Sequence, residues 1–366
     1  MKKLLLLFLL LGSPLAHSQT ISGFVYDAGG NYPLEGAFVY LDGTTFSATT
    51  DAKGFFKITT PHEYNTQMVV SSIGYEKFIL QNPYSFKQQQ VKVMLREEAE
   101  NIEEVVIEKN TLFTRKQMLR AFRRQFLGTS SAGSSCSIEN EEDIVLYYER
   151  GANVLHAEAK KPLRIINKRL QYNINFELAD FQVSYYSQSL AEEEMSGSFY
   201  AGTTFFKDTA KKGSADKKRR QAYRGSTSHL MKAIFNNSWE KEGFDLYVDK
   251  FPIDPESCFM ITDSLMYKKV TIKELAPPQL PAGVMFSAAK GEPKSLTAPK
   301  RDFTQTKYVI LYNKTDQTQL TFNERRFYID EKGLFSPLTA LVFSGYMGTL
   351  RAGDLLPDDY EYKPAD

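Results

Sequence analysis

Between residues 20 and about 97, apolar and polar residues alternate in short runs separated by turn signals. That period of two commits the segment to strands with one buried and one wet face. Ile21, Gly23 and Val25 share a face of the first strand, and Ala37, Val39 and Leu41 share one in the second. Asp51-Ala52-Lys53-Gly54 suits a type I turn, with Asp first to bond the backbone and Gly last. Phe56 and Ile58 then face inward, Met68 to Ser72 forms another strand, and Val91, Val93 and Leu95 close the set. No helical period interrupts them. Short strands so spaced pack face to face, as a seven-stranded-type β-sandwich over residues 19–97.

The remainder reads differently. Glu97 to Glu104 is an acidic connector within a linker at 98–111. A helix then starts at Thr114, which forms a capping box with Gln117, while Phe113 and Met118 hold the hydrophobic-staple positions. Leu119, Phe122 and Phe126 form its apolar stripe, and Gly128 stands where a helix stops. From Asp143 long strands alternate, with Tyr172, Ile174, Phe176 and Leu178 set against Gln171, Asn173, Asn175 and Glu177. Phe181 to Tyr186 and Phe199 to Phe206 extend what reads as an antiparallel meander. Asp216 to Asn237 is a second helical region, interrupted by Gly225. Ala276 to Lys300 reads as a loop, and strands follow at Thr306 to Tyr312 and Gln319 to Ile329. The expected fold is mainly β: the sandwich, then an α+β domain over 112–366 with an antiparallel sheet.

The first residues bear on location. Lys2 and Lys3 precede the apolar run Leu4 to Leu11, Pro14 breaks it, and Ala16-His17-Ser18 supplies small residues at a cleavage site. Residues 1–18 read as a signal peptide leaving Gln19 first. The run is too short for a permanent span, and no later one reaches transmembrane length. A formal net charge of +1 gives no field that would draw nucleic acid. The 2 cysteines, Cys136 and Cys258, could form a disulfide in an oxidising compartment or stand as two thiols, and sequence separation leaves both open.

The segments Ile21-Ser22-Gly23-Phe24-Val25-Tyr26-Asp27, Pro33-Leu34-Glu35-Gly36-Ala37-Phe38-Val39, Gly43-Thr44-Thr45, Thr50 to Phe56 and Ser72-Ile73-Gly74-Tyr75-Glu76 resemble the carboxypeptidase-regulatory-like domain. The resemblance implies a transthyretin-like sandwich, an accessory module frequent in envelope proteins of Bacteroidetes-type bacteria. It implies no activity. Ile102-Glu103-Glu104-Val105-Val106-Ile107 is similar to the segment that follows this module in TonB-dependent receptors. In the C-terminal half, Gln125 to Gly128, Cys136 to Asn140, Gly225 to His229 and Leu355-Leu356-Pro357 resemble a family of envelope proteins with no assigned activity.

Chemistry-bearing residues are sparse. After the leader only His62, His156 and His229 remain, with no His-x-x-Glu or His-Glu-x-x-His, so a metallocarboxypeptidase zinc site is not expected, nor any other metal or cofactor. His156 and Glu158, two apart on a strand, could act as acid and base or as two metal ligands, or be the wet side of a half-buried strand, which is the commoner case. In Gly225-Ser226-Thr227-Ser228-His229, Ser226 and Ser228 could work with His229, or Ser226 could simply cap the next helix. Arg224 closes a basic run, Lys211, Lys212, Lys217, Lys218, Arg219 and Arg220, that could meet phosphate or be solvated. Arg115, Arg120, Arg123 and Arg124 pose the same choice on the first helix. The expected function is that of an exported, non-catalytic envelope protein, periplasmic or outer-membrane-associated. It would bind an envelope protein, glycan or lipid through the sandwich as interaction module. The alternatives are an envelope hydrolase near His229 or His156, and an accessory component of a TonB-dependent receptor system.

Overall fold

The computed structural model describes residues 18–86, 89–98, 112–275 and 302–364. The leader up to His17, the Ile102 to Ile107 segment and the whole Ala276 to Lys300 stretch lie outside them. Strands dominate, as the sequence implies. Contacts divide the chain into two compact units. The first runs to Phe126 and takes in Ser135–Ser214 and Pro357–Glu361; the second comprises Leu127–Ser134, Ala215–Leu356 and residues from Tyr362 onward. The sandwich shares the first unit with the sheet that follows it.

The sandwich has β1 (Gln19–Asp27), β2 (Phe38–Leu41), β3 (Ser47–Thr49), β4 (Phe55–Thr60), β5 (Met68–Ser71), β6 (Phe78–Leu80) and β7 (Val91–Leu95). One sheet has the order β4-β1-β7 and the other β3-β2-β5-β6. β1 runs antiparallel to β4 and parallel to β7. Ile21, Val25, Val39, Leu41, Phe56, Ile58, Met68, Val70, Val93 and Leu95 fill the space between them. Asp51 makes the turn the sequence implies: its Oδ1 accepts from Lys53 and Phe55 N–H, and Gly54 sits at φ +72. Glu97 and Glu98, expected in the connector, still belong to the sandwich, since Tyr75 bridges Glu97 and Glu98 N–H donates to Gly74.

In the same unit, α1 (Arg115–Leu127) precedes β8 (Cys136–Ile138), β9 (Ile144–Glu149), β10 (Val154–Ala159), β11 (Leu163–Asn167), β12 (Tyr172–Tyr185) and β13 (Met195–Asp208). The helix begins at the capping box: Gln117 Oε1 accepts from Thr114 N–H at 2.8 Å and Gln117 N–H reaches Thr114 Oγ1 at 3.3 Å. It ends before Gly128, at φ +88. The sheet is not the simple meander expected. β12 pairs β11 through its first half, β10 through its second and β13 along its length, with a bulge between Leu178 and Asp180. Phe122 and Phe126 of α1 pack on Phe176, Phe181 and Tyr200, burying one face of this sheet.

The second unit holds α2 (Asp216–Tyr223), α3 (Thr227–Phe235), and β14 (Phe244–Val248), β15 (Phe251–Pro252), β16 (Phe259–Ser264), β17 (Tyr267–Ile272), β18 (Tyr308–Tyr312), β19 (Asp316–Phe322), β20 (Arg326–Asp330), β21 (Phe335–Ser336) and β22 (Leu341–Gly345). They form the sheets β15-β14-β18-β19-β22 and β16-β17-β20-β21. Leu230, Met231 and Ile234 of α3 share one core with Phe244, Tyr308 and Phe322 of the first sheet and Phe259, Ile272 and Phe327 of the second. The single strand expected over Gln319 to Ile329 is two: β19 and β20 lie in different sheets, and the exposed polar run Asn323-Glu324-Arg325-Arg326 shifts the buried phase from Leu320 and Phe322 to Phe327 and Ile329.

Candidate functional site

His229 lies in the first turn of α3, with its side chain only 5% exposed. Its Nδ1 accepts the Gly225 N–H at 3.0 Å, so the neutral ring carries its proton on Nε2 and donates it to Glu242 Oε2, also at 3.0 Å. The Ser226 hydroxyl accepts from His229 N–H at 3.2 Å, capping the helix. Gly225, at φ +76, permits the tight approach. Tyr223, Phe244 and Tyr312 surround the ring, and Arg224 Nε donates to Tyr312 OH at 3.1 Å. Ser228 faces outward and does not join the arrangement. Both imidazole nitrogens are thus engaged in holding a turn together.

Burial, the largest influence, holds the His229 pKa below its ordinary value, although Glu242 pulls the other way. The unfolded chain therefore gains a proton near pH 6.5 that the folded ring refuses. Stability supplied by the neutral ring is present above that pH and is lost as pH falls through the lowered folded value. A pH series of denaturant titrations from 7 to 5 is expected to show stability falling more steeply for wild type than for His229→Gln. Equal slopes would remove His229 as the source.

His156 stands on a different kind of surface. Opposite the face that α1 buries, the registers align Phe199 of β13 with Gln182 of β12, Gln182 with His156 of β10, and His156 with Tyr147 of β9. Tyr147 and His156 stack at 4.7 Å and 12°. His156 Nε2 meets Glu149 Oε2 at 3.2 Å, not the Glu158 suggested by sequence. Glu158 instead hydrogen-bonds Tyr147, whose pKa is raised first by burial and then by that carboxylate's charge. Gln182 donates to both oxygens of Asp180 at 3.2 Å. The result is an open row of two aromatic rings, an imidazole and an amide, edged by Glu149, Glu158 and Asp180.

The sandwich covers the other end of the same face. Phe205 is buried against Phe38, Tyr40 and Val69. Tyr40 OH pairs with Thr203 Oγ1 at 3.0 Å, and Lys77 pairs with Glu177. Asp42 Oδ1 accepts the Thr204 N–H at 2.6 Å and its Oδ2 accepts from Gln67 at 3.0 Å, while burial raises its pKa. The open row thus begins where the sandwich ends.

Other singled-out residues have plainer places. Arg115 donates to the Ile144 and Glu141 carbonyls, Arg123 pairs with the Glu141 carboxylate and Arg124 with Glu192, so these three arginines are bonded within their own unit, while Arg120 is exposed. The two cysteines are thiols and form no disulfide; burial pushes Cys258 up to about 11. Among the described residues, no three His, Cys, Asp or Glu gather as a metal would need, and no helix is long and apolar enough to cross a membrane.

Residues 21–107 match the family model of the CarboxypepD_reg-like domain. The sandwich is a CarboxypepD_reg-like domain. The match takes in most of β1 and all of β2 to β7, and it ends before the sheet bearing His156. No curated protein matches the chain. Among solved structures, a type II cohesin–X-dockerin complex from Acetivibrio cellulolyticus is similar at 20% identity and TM-score 0.20, covering 31% of this chain and 76% of that one. A 9R-lipoxygenase from Cyanothece PCC8801 is similar at 11% identity and TM-score 0.19, covering 61% of this chain and 49% of that one. Neither assigns a fold or an activity here.

Proposed function

We propose that the protein is an exported, non-catalytic cell-envelope binding protein in which the CarboxypepD_reg-like domain is an interaction module. Its ligand surface is the open row Tyr147, His156, Gln182 and Phe199. The observation that carries this reading is the composition of that row. Aromatic rings offer apolar faces on which sugar rings stack, while Glu149, Glu158, Asp180 and Gln182 offer the acceptors and donors that hydroxyl groups need. The carboxylates disfavour anionic lipid, so envelope glycan is the ligand class. His229 is less suited to hydrolysis, because both its nitrogens are already engaged.

Co-sedimentation with insoluble envelope glycan is expected to retain the wild-type protein. Tyr147→Ala with His156→Ala is expected to weaken retention about tenfold or more, roughly the loss of two aromatic contacts. Retention unchanged in the double variant would sink the assignment of this face. Hydrolysis of glycan, peptide or ester substrates that His229→Ala abolishes would sink the non-catalytic reading.

A further inference from the structure

The sheet edge beside this face is unclosed. β13 pairs β12 along its length and no second strand among the described residues. Its far end is covered by the sandwich, where Gly43 N–H donates to the Thr204 carbonyl and Phe206 N–H donates to the Thr44 carbonyl. Those bonds show that even-numbered residues turn their backbone groups outward. Carried back along the strand, the alternation turns Ser198 and Gly202 outward too. The open run, Met195 to Thr203, contains no charged residue and no proline, devices by which exposed edges avoid pairing. At its centre Phe199 stays 49% exposed.

We infer that this edge pairs with the same edge of a second copy, antiparallel about a two-fold axis at Phe199. Only an extended backbone satisfies a row of alternating N–H and C=O groups, and a second copy brings no like charges against this neutral run. The axis also satisfies the alternation: Ser198 meets Tyr200 of the second copy with outward-turned groups on both sides, and the regular ladder ends at the bulge on Ser196, where Ser184 pairs Gly197 but Tyr185 pairs Met195. Phe199 then faces its own copy at a non-hydrogen-bonded position, where side chains approach most closely. Beyond Thr203 the sandwich blocks further pairing, which sets the register. One strand pair buries less than the roughly 1,600 Å² of a stable interface, so the dimer is weak and concentration-dependent. The inference does not rest on the glycan reading, since association is measured without ligand.

Sedimentation equilibrium of the full chain, from low to high micromolar, is expected to show mass rising from monomer towards dimer. Phe199→Lys sets two ammonium groups against each other and is expected to weaken association about tenfold. Phe199→Cys places two thiols across the axis with Cα atoms about 4.5 Å apart, within disulfide reach, so oxidation gives a covalent dimer. Tyr186→Cys, exposed but off the strand, is the control and gives no covalent dimer on oxidation. A wild type that remains monomeric, or a dimer in which the Phe199→Cys thiols do not join, overturns the inference.

Discussion

Phe126→Ala is expected to lower the free energy of unfolding by about 3–5 kcal/mol, with little change in the denaturant slope. The ring is fully buried. It meets Phe176 edge-on at 4.9 Å and Tyr200 at 5.4 Å, stacks on Phe122 at 5.0 Å, and lies 6.4 Å from Phe181. Three of those neighbours are on β12 and β13, whose long shared ladder prevents them from closing on the space left behind. The cavity therefore stays open and its lining loses contacts outright. Phe126 lies behind the sheet, opposite His156, so glycan retention is expected to survive wherever the variant remains folded. A loss below about 1 kcal/mol in a denaturant titration would mean that α1 does not seal this face.

What could be read in advance was local. The Thr114–Gln117 box lies three residues apart and the Asp51 turn four, and each is satisfied by its own neighbours. The period of two in the sandwich likewise needs no knowledge of distant partners. The docking of the sandwich on the larger sheet was less visible, although a signal existed. Phe38-Val39-Tyr40-Leu41 and Met68-Val69-Val70 are apolar at every position, as in strands buried on both faces. Their second faces meet Phe205. The turn between β19 and β20 also left a local signal, since the polar run Asn323-Glu324-Arg325-Arg326 interrupts the alternation and reverses its phase.

The candidate site divides in the same way. His156 and Glu158 share a face because they are two apart on a strand, which sequence can show. Their partners Glu149 and Tyr147 lie one strand away, and finding them requires the β9–β10 register. That register gives the histidine to Glu149 and Glu158 to the tyrosine, and it extends the row to Gln182 and Phe199 on strands remote in sequence. Ser226 and His229 were adjacent enough for a cap to be foreseen. Glu242, the group that takes the ring's proton-bearing nitrogen, lies beyond the end of α3, where no local rule reaches.

Gly23→Val is expected to unfold the sandwich while leaving the second unit's core intact. Gly23 lies on the central strand β1, opposite Phe56 on β4 and Val91 on β7. A Cβ there would overlap the Val91 carbonyl oxygen, lie 2.9 Å from its carbon and press 3.0 Å from the Phe56 ring. The obstruction is backbone, so no rotamer relieves it, and the cost exceeds the roughly 1–3 kcal/mol usual for overpacking. β7 would have to move, drawing Val91, Val93 and Leu95 from the core at about 1.5–3 kcal/mol each. Hydrogen exchange is expected to show lost protection in β1, β4 and β7, with β14, β18 and β19 still protected. Gly151→Ala, where a Cβ meets nothing within 4 Å, is the matched control and is expected to leave exchange unchanged. Wild-type exchange in Gly23→Val would mean that β7 does not close against β1, and the three-stranded sheet would need another partner.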